Sequence, residues 1–356
     1  MVSGIDSAKL ISDLDKDKIT IATVCSHSSL QIFHGAKLEG FKTLGISVGE
    51  PPKYYDAFPL AKPDEFISIE KYSDLANISD ELRKRNCVVI PHGSVVQYLG
   101  VDAFEEWNVL TFGNRLALRW ESDRNLERKW LEGAGLKMPT EILDANDISG
   151  PVLVKYHGAS GGRGYFIARS VAEFEENIQE GVKFTIQEYV LGTRYYVHYF
   201  YTPFSNDGYT VQNGNLEMLS ADRRDESNID EIYKLGSQEK LKSVGMYPSF
   251  VVTGNIPVIL RESLVPRVLE MGANAIKGSF EKFGGMVGAF CLETVVTDQL
   301  DIRVFEISAR IVAGTNPFPS GSPYSDFVAP GLSTGRRIAQ ELKRGIELDR
   351  LDEILS

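Results

Sequence analysis

Ile19-Thr20-Ile21-Ala22-Thr23-Val24 is a β-branched run that ends in Cys25-Ser26-His27-Ser28-Ser29, after which Leu30, Phe33, Ala36, Lys37 and Leu38 follow at helical spacing. The pattern predicts a strand, a loop and a helix, with Ser28 or Ser29 at the helix N-cap. Gly40 stops the helix, and Thr43 to Val48 reads as the next strand. A second unit repeats the order. Leu75 to Asn86 reads as a helix, Cys87 to Ile90 as a buried strand, and Pro91-His92-Gly93-Ser94 as a loop opening another short helix. Strands alternating with helices predict a parallel, doubly wound sheet, so residues 1–118 read as a Rossmann-like domain.

Downstream the character changes. Glu121 to Gly133 reads as a charged amphipathic helix, and Pro151-Val152-Leu153-Val154-Lys155 as a strand followed by a glycine loop. Phe184 to Val190 and Arg194 to Tyr201 read as strands around Leu191-Gly192, whereas 203–250 looks polar and irregular. A helix is expected from 262 to about 283, then strands Val287 to Val296 and Ile302 to Arg310 around Asp298-Gln299. This half is α+β with antiparallel sheet.

The chain has 356 residues, 38 Lys and Arg against 49 Asp and Glu, and a net charge of −11. An acidic balance argues against nucleic-acid polymers and anionic membranes as partners, which want clustered cations. It leaves small anionic ligands open, since a few basic groups and amides can hold a phosphate. The 3 cysteines lie far apart without a CxxC, so neither a zinc site of that kind nor a disulfide framework is expected. No signal peptide or membrane span is legible, and the expected setting is cytoplasmic.

Four places can carry chemistry. If the turn of the last hairpin centres on Gln299-Leu300, Glu293 and Glu306 fall opposite each other, with Ser308 and Arg310 on the face of Glu306. Two carboxylates and a hydroxyl on one patch suit a hard cation such as Mg²⁺; the alternative is an exposed hairpin with solvated charges. Lys155-Tyr156-His157-Gly158-Ala159-Ser160-Gly161-Gly162-Arg163-Gly164 can bring backbone amides and an ammonium to phosphates, or can be a plain turn. Gln187-Glu188-Tyr189-Val190 before Gly192 can offer backbone groups to a purine edge, or can be structural. Ser26-His27-Ser28 and His92-Gly93-Ser94 follow strands of the parallel sheet, at the carboxyl ends where ligands bind in open α/β folds. His27 there is a polar contact, a proton carrier or a capped loop residue.

Taken in order, these elements resemble the ATP-grasp superfamily: Gly113-Asn114-Arg115, Asp123-Arg124, Gly135-Leu136 and Pro139, then the lysine strand with its phosphate loop, the hinge, and Glu293 with Glu306-Ile307-Ser308-Ala309-Arg310. A closer resemblance is to the archaeal formate-dependent ligases of purine biosynthesis. They make formylaminoimidazole-carboxamide ribonucleotide (FAICAR) from formate, ATP and aminoimidazole-carboxamide ribonucleotide (AICAR). It is carried by His27-Ser28-Ser29-Leu30, Gly35-Ala36-Lys37-Leu38-Glu39-Gly40-Phe41, Pro91-His92-Gly93-Ser94, Phe112-Gly113-Asn114-Arg115, Arg119-Trp120-Glu121-Ser122, Gly161-Gly162-Arg163-Gly164-Tyr165-Phe166, Glu226-Ser227-Asn228-Ile229-Asp230, Thr253-Gly254-Asn255-Ile256-Pro257, Arg261-Glu262-Ser263-Leu264 and Gly314-Thr315-Asn316.

The resemblance implies a Rossmann-like pre-ATP-grasp domain over 1–118, a small lid subdomain over 119–200 and a large subdomain with the metal site over 201–356. It implies that His27, Ser28, Ser94 and Asn255 contact AICAR. Lys155, Gly158, Gly161, Gly162, Gly164, Gln187, Glu188, Tyr189, Val190 and Glu226 would hold ATP, and Glu293 and Glu306 Mg²⁺ or Mn²⁺. Arg310, Lys155 and His27 are the implied catalytic groups. Formyl phosphate is the implied intermediate, and the assembly is a homo-oligomer, with a hexamer as the candidate. Ser160, Ser308 and Val312-Ala313 depart from the family or superfamily pattern, which has Arg, Asn and Asp-Gly there. Two other readings are an ATP-grasp ligase for another acid or amine and a non-catalytic nucleotide-binding paralogue. ATP, formate and AICAR are all anions, so the site is expected to be positive inside a negative protein.

Overall fold

The β-branched run forms β1 (Thr20–Val24), buried along its length, at the centre of a parallel sheet. Around it lie β2 (Lys42–Val48), β3 (Glu65–Ile69), β4 (Cys87–Val89) and β5 (Leu110–Thr111), in the order β3-β2-β1-β4-β5. The computed structural model describes residues 5–156, 164–205, 207–226, 252–312 and 324–356. The helix after β1 is Ser29–Leu38, and Gly40 beyond it takes φ 87, a left-handed turn that glycine supplies at no steric cost.

Two readings of the helices need correction. Leu75 to Asn86 is a 3-10 segment, Tyr72–Ile78, followed by a short helix, Ser79–Lys84. The charged helix is two, Arg115–Ser122 and Arg124–Gly133. Asp123 breaks it with extended backbone, and its carboxylate accepts the amides of Asn125 and Leu126 as an N-cap.

A second sheet is antiparallel and small, in the order β6-β9-β7-β8: β6 (Glu141–Ile142), β7 (Val152–Tyr156), β8 (Tyr165–Ala168) and β9 (Phe184–Glu188). The third holds β10 (Thr193–Thr202), β11 (Thr210–Val211), β12 (Gly214–Glu226), β13 (Val252–Pro257), β14 (Gly288–Val296) and β15 (Ile302–Ser308). Its order is β11-β12-β10-β14-β15, with β13 paired to β12. β12 falls in the stretch read as irregular. It alternates Leu216, Met218 and Ala221 into the core with Glu217, Ser220, Asp222 and Arg224 toward the other side, so it reads as polar although it is the sheet's longest strand.

One face of this sheet packs on helix Val265–Phe283, with Tyr199, Tyr201, Phe290 and Trp130 in the core. The other approaches the parallel sheet, where Phe200 and Ala289 join Ile19, Ile21, Ile32 and Val88. Helix Thr334–Leu348 returns to pack against Ser29–Leu38, and Leu355 pairs antiparallel to Phe112 beside β5. No helix of the described residues is long and apolar enough to cross a membrane.

Candidate active site

β14 and β15 pair as Val296↔Ile302, Val295↔Arg303 and Thr294↔Val304, then shift register by one residue so that Glu293 faces Glu306 and Cys291 faces Ser308. The shift is a bulge at Phe305. Without that extra residue Glu293 would face Phe305, and the period of two would turn Glu306 to the opposite face. The predicted opposition therefore exists, but a bulge produces it, not the turn alone.

The two carboxylates live in different media. Glu306 is exposed, whereas Glu293 is 5% exposed. Burial pushes the Glu293 carboxyl up to about 7; Arg224 opposes the rise and the Glu306 charge adds to it. Arg224 Nη2 lies 3.1 Å from Glu293 Oε1, Nη1 lies 3.5 Å from Oε2, and the guanidinium stacks 3.6 Å over the Tyr196 ring. A desolvated carboxylate opposite an exposed one suits a hard cation. Among the described residues no cluster of three or more His, Cys, Asp or Glu could hold a metal, so this pair would supply at most two such side chains to a cation.

Lys155 on β7 meets this patch from the small sheet. Burial pushes its ammonium down, while Glu306, Glu127 and Glu293 pull it up. Its Nζ lies 5.6 Å from the centroid of Phe305, the bulge residue. The lysine strand and the carboxylate hairpin thus meet at Phe305, within range of each other's charges. Gly164 closes the glycine loop, accepting the Tyr156 amide at 2.9 Å with φ 77. Gly158, Gly161 and Gly162, like Ser160 and the 314–316 string, lie outside the described residues.

At the hinge, Gln187 is buried in β9. The Glu188 amide donates to Thr140 O at 2.8 Å, its carboxylate accepts the Thr140 amide at 3.0 Å, and the Tyr189 amide donates to Pro151 O at 3.0 Å. Those donors fix the end of β9, and Val190 follows half-buried beyond them. Glu226 ends β12 opposite Val252.

Two buried carboxylates escaped the sequence reading. Glu127 Oε1 accepts the Ile307 amide and Glu121 Oε2 the Ala309 amide, each at 2.7 Å, capping the outer edge of β15. Burial raises both carboxyls; Arg310, 2.7 Å from Glu121, opposes the rise there, and the Glu306 charge adds to it at Glu127. Arg310 Nε and Nη1 are buried with no hydrogen-bond partner among the described residues. The only signal was the capping pattern at Asp123, which puts Glu121 in the last turn of one helix and Glu127 in the first turn of the next.

The serine and histidine loops of the parallel sheet meet the same region. Ser26 Oγ and Ser94 Oγ are 2.8 Å apart, and His27 Nδ1 lies 3.3 Å from the first and 3.5 Å from the second. Ser28 does stand at the N-cap, but at φ 70 its hydroxyl caps nothing and donates to Val312 O at 2.7 Å. That contact ties the loop to the segment after Arg310. Asn255 on β13 pairs with Arg224 on β12.

His92 is fully buried, bonded through Nε2 to Val24 O at 3.0 Å, and accepts the Ser94 amide on Nδ1 at 3.3 Å. Burial lowers its pKa from 6.5 to about 4, with Arg310 and His27 adding to the fall and the Val24 bond opposing it. The unfolded chain takes the proton near pH 6.5 and the folded chain only near 4, so acidification through that window favours unfolding. The shift corresponds to about 3 kcal/mol lost between pH 7 and pH 4. Urea titrations should show His92→Gln losing less stability than the parent over that range; equal losses would remove His92 as the cause.

Comparison with known proteins converges on one family. Profiles described as a domain of unknown function (DUF1297) and a protein of unknown function (DUF1246) match residues 171–356 and 21–142. The 5-formaminoimidazole-4-carboxamide-1-(beta)-D-ribofuranosyl 5'-monophosphate synthetase 1 of Methanosarcina mazei is 57% identical over all of both chains. An IMP biosynthesis protein, PurP, of Thermococcus kodakaraensis superposes with TM-score 0.74 at 29% identity, over 94% of this chain and 100% of that one. The biotin carboxylase domain of the Hydrogenobacter thermophilus 2-oxoglutarate carboxylase, solved with MgADP and bicarbonate, matches at TM-score 0.62 and 13% identity, over 91% of this chain and 69% of that one, a likeness of fold. With its Rossmann-like sheet and ATP-grasp fold, this chain belongs to the 5-formaminoimidazole-4-carboxamide ribonucleotide synthetase family of ATP-dependent ligases.

Proposed function

We propose that this chain joins formate to the amine of AICAR at the expense of ATP, giving FAICAR, ADP and phosphate in IMP biosynthesis. The observation that carries the reading is the meeting of Lys155 with Glu293 and Glu306, on a hairpin whose end at Ile311 pairs with His92 of the Ser94 loop. Residues 1–118, with Asn255 on β13, would hold AICAR, the small sheet from β6 to β9 would form the lid, and the third sheet, which takes in β10 and packs on Trp130, would carry the cation pair. The proposed assembly is a homo-oligomer.

Formate is a resonance-stabilised anion and a poor electrophile. A formate oxygen attacks the γ-phosphorus, ADP leaves, and formyl phosphate carries a good leaving group. The AICAR amine then attacks the formyl carbon, phosphate departs and the amine loses a proton. The neighbouring carboxamide weakens that amine, so orientation must supply much of the rate. His27, Ser94 and Asn255 would orient AICAR, with the N-terminus of helix Ser29–Leu38 at the anionic end of the site. Lys155 would hold the phosphates, with the glycine loop and the hinge from Gln187 to Val190 around the nucleotide. Arg310, with two nitrogens unspent, would take the charge that develops on the transferred group. Glu293 and Glu306 would hold Mg²⁺ or Mn²⁺, which supplies charge neutralisation between phosphates. A closed cleft protects formyl phosphate from water.

The test is ADP release with AICAR present, with and without formate. Formate must raise the rate and AICAR must be consumed; an unchanged rate ends the reading.

A further inference from the structure

Arg224 belongs to none of the motifs read from the sequence, yet it is the group in contact with Glu293. We propose that Arg224 is the receptor for the carboxylate substrate and that Glu293 keeps it occupied until a divalent cation takes Glu293 over. The proposal rests on the ligase reading above and adds a residue and a binding order to it.

The guanidinium presents its two terminal nitrogens to the two oxygens of one carboxylate, at 3.1 and 3.5 Å. Formate carries that same planar group, so the fork already shows the shape it accepts. Stacking 3.6 Å over Tyr196 fixes the plane of the fork whichever carboxylate fills it. Both partners are largely buried, at 15% and 7% side-chain exposure, so a departing Glu293 leaves a cation that demands another anion.

Position supports the same reading. Arg224 pairs with Asn255 across β12 and β13, and Tyr196 pairs with Glu293 across β10 and β14. The fork therefore lies between the residue proposed for AICAR and the cation pair, where the formyl group must form. Two other cations of the site have roles of their own in that reading. Lys155 sits on the opposite sheet with the nucleotide, and Arg310 is held at 2.7 Å by Glu121. A cation on Glu293 and Arg224 on Glu293 carry like charges to one carboxylate and compete for it. By linkage, cation and formate then raise each other's affinity by the same factor.

The experiment uses Mn²⁺ as the probe, its binding read from the loss of the free-ion electron paramagnetic resonance signal without nucleotide, on the parent, Arg224→Lys and Arg224→Met. Folding is checked by thermal melting. Arg224→Met should bind Mn²⁺ about tenfold tighter, because Glu293 is released. Arg224→Lys keeps the charge but not the fork. It should raise the KM for formate about a hundredfold and leave those for ATP and AICAR within threefold. Unchanged or weaker Mn²⁺ binding in Arg224→Met overturns the exchange with Glu293. An unchanged formate KM in Arg224→Lys overturns the receptor role. If the parent shows no formate-dependent turnover, the ligase reading fails by itself, and the Mn²⁺ measurement still decides the exchange.

Discussion

Replacing Glu306 by alanine should stop turnover while leaving AICAR bound. Glu306 is exposed and Glu293 opposite it is buried, so the exposed partner can be removed without opening the core. The expected loss is about a thousandfold or more in kcat, the scale seen when a charge-stabilising group at a phosphoryl-transfer site is removed. Stability should change by less than about 1 kcal/mol, as is usual for an exposed side chain. It can even rise slightly, since the charge of Glu306 bears on Glu293 and Glu127. AICAR binding by calorimetry should stay within threefold, because the proposed nucleotide contacts lie on the His27 and Ser94 loops and on β13. An unaffected rate would remove Glu306 from the site. Lost AICAR binding would mean that the hairpin, not the cation pair, had been damaged.

Gly35→Ala should cost more stability than any exposed substitution. A Cβ on Gly35 would stand 2.2 Å from the Arg336 amide nitrogen and 2.5 Å from its Cα. The facing glycine is equally tight, since a Cβ on Gly335 would stand 2.2 Å from Gln31 O. Backbone meets backbone here, so no side chain can rotate away. Alanine gains about 1 kcal/mol over glycine in helix propensity. Against that, the helices must part by roughly 1 Å, which loosens Ile32 and Ala36 against Ile338 and Ala339 and strains the Arg336 pair to Glu39, 2.7 Å long. Overpacking of this kind costs about 3 kcal/mol, so the clash wins. Denaturant unfolding measures the sum; a variant as stable as the parent would show that the two helices are not locked at this crossing.

The parts of the fold that sequence made legible share one property: their residues announce burial. Ile19 to Val24 is β-branched and buried on both faces, and the Glu293 hairpin alternates with apolar Phe290, Leu292 and Val304. β12 stayed hidden because the face that lines the site is polar, and polarity reads as loop. Arg224 was hidden with it. Glu121 and Glu127 read as parts of one charged amphipathic helix; only the packing of two helices against the edge of β15 turns them inward. The bulge at Phe305 has no sequence signature, and it decides which face Glu306 takes. The family strings named candidate site residues, whereas the ion pairs around them needed coordinates.

The parallel sheet has a further dependence. The outer side of β5 is closed by residues far downstream: Thr111 and Ser356 exchange amide-to-carbonyl bonds of 2.9 Å, and the Gly113 amide donates to Ile354 O at 2.8 Å. Arg115 adds bonds to the carbonyls of Phe104, Trp107 and Ser356, at 2.7, 2.8 and 3.1 Å. The two ends of this closure are 245 residues apart in the chain. At translation rates of roughly 5–20 residues per second, β5 emerges roughly 10–50 s before the segment that covers it. During that interval the nascent sheet carries an open hydrogen-bonding edge, a template for wrong pairing until the downstream segment arrives.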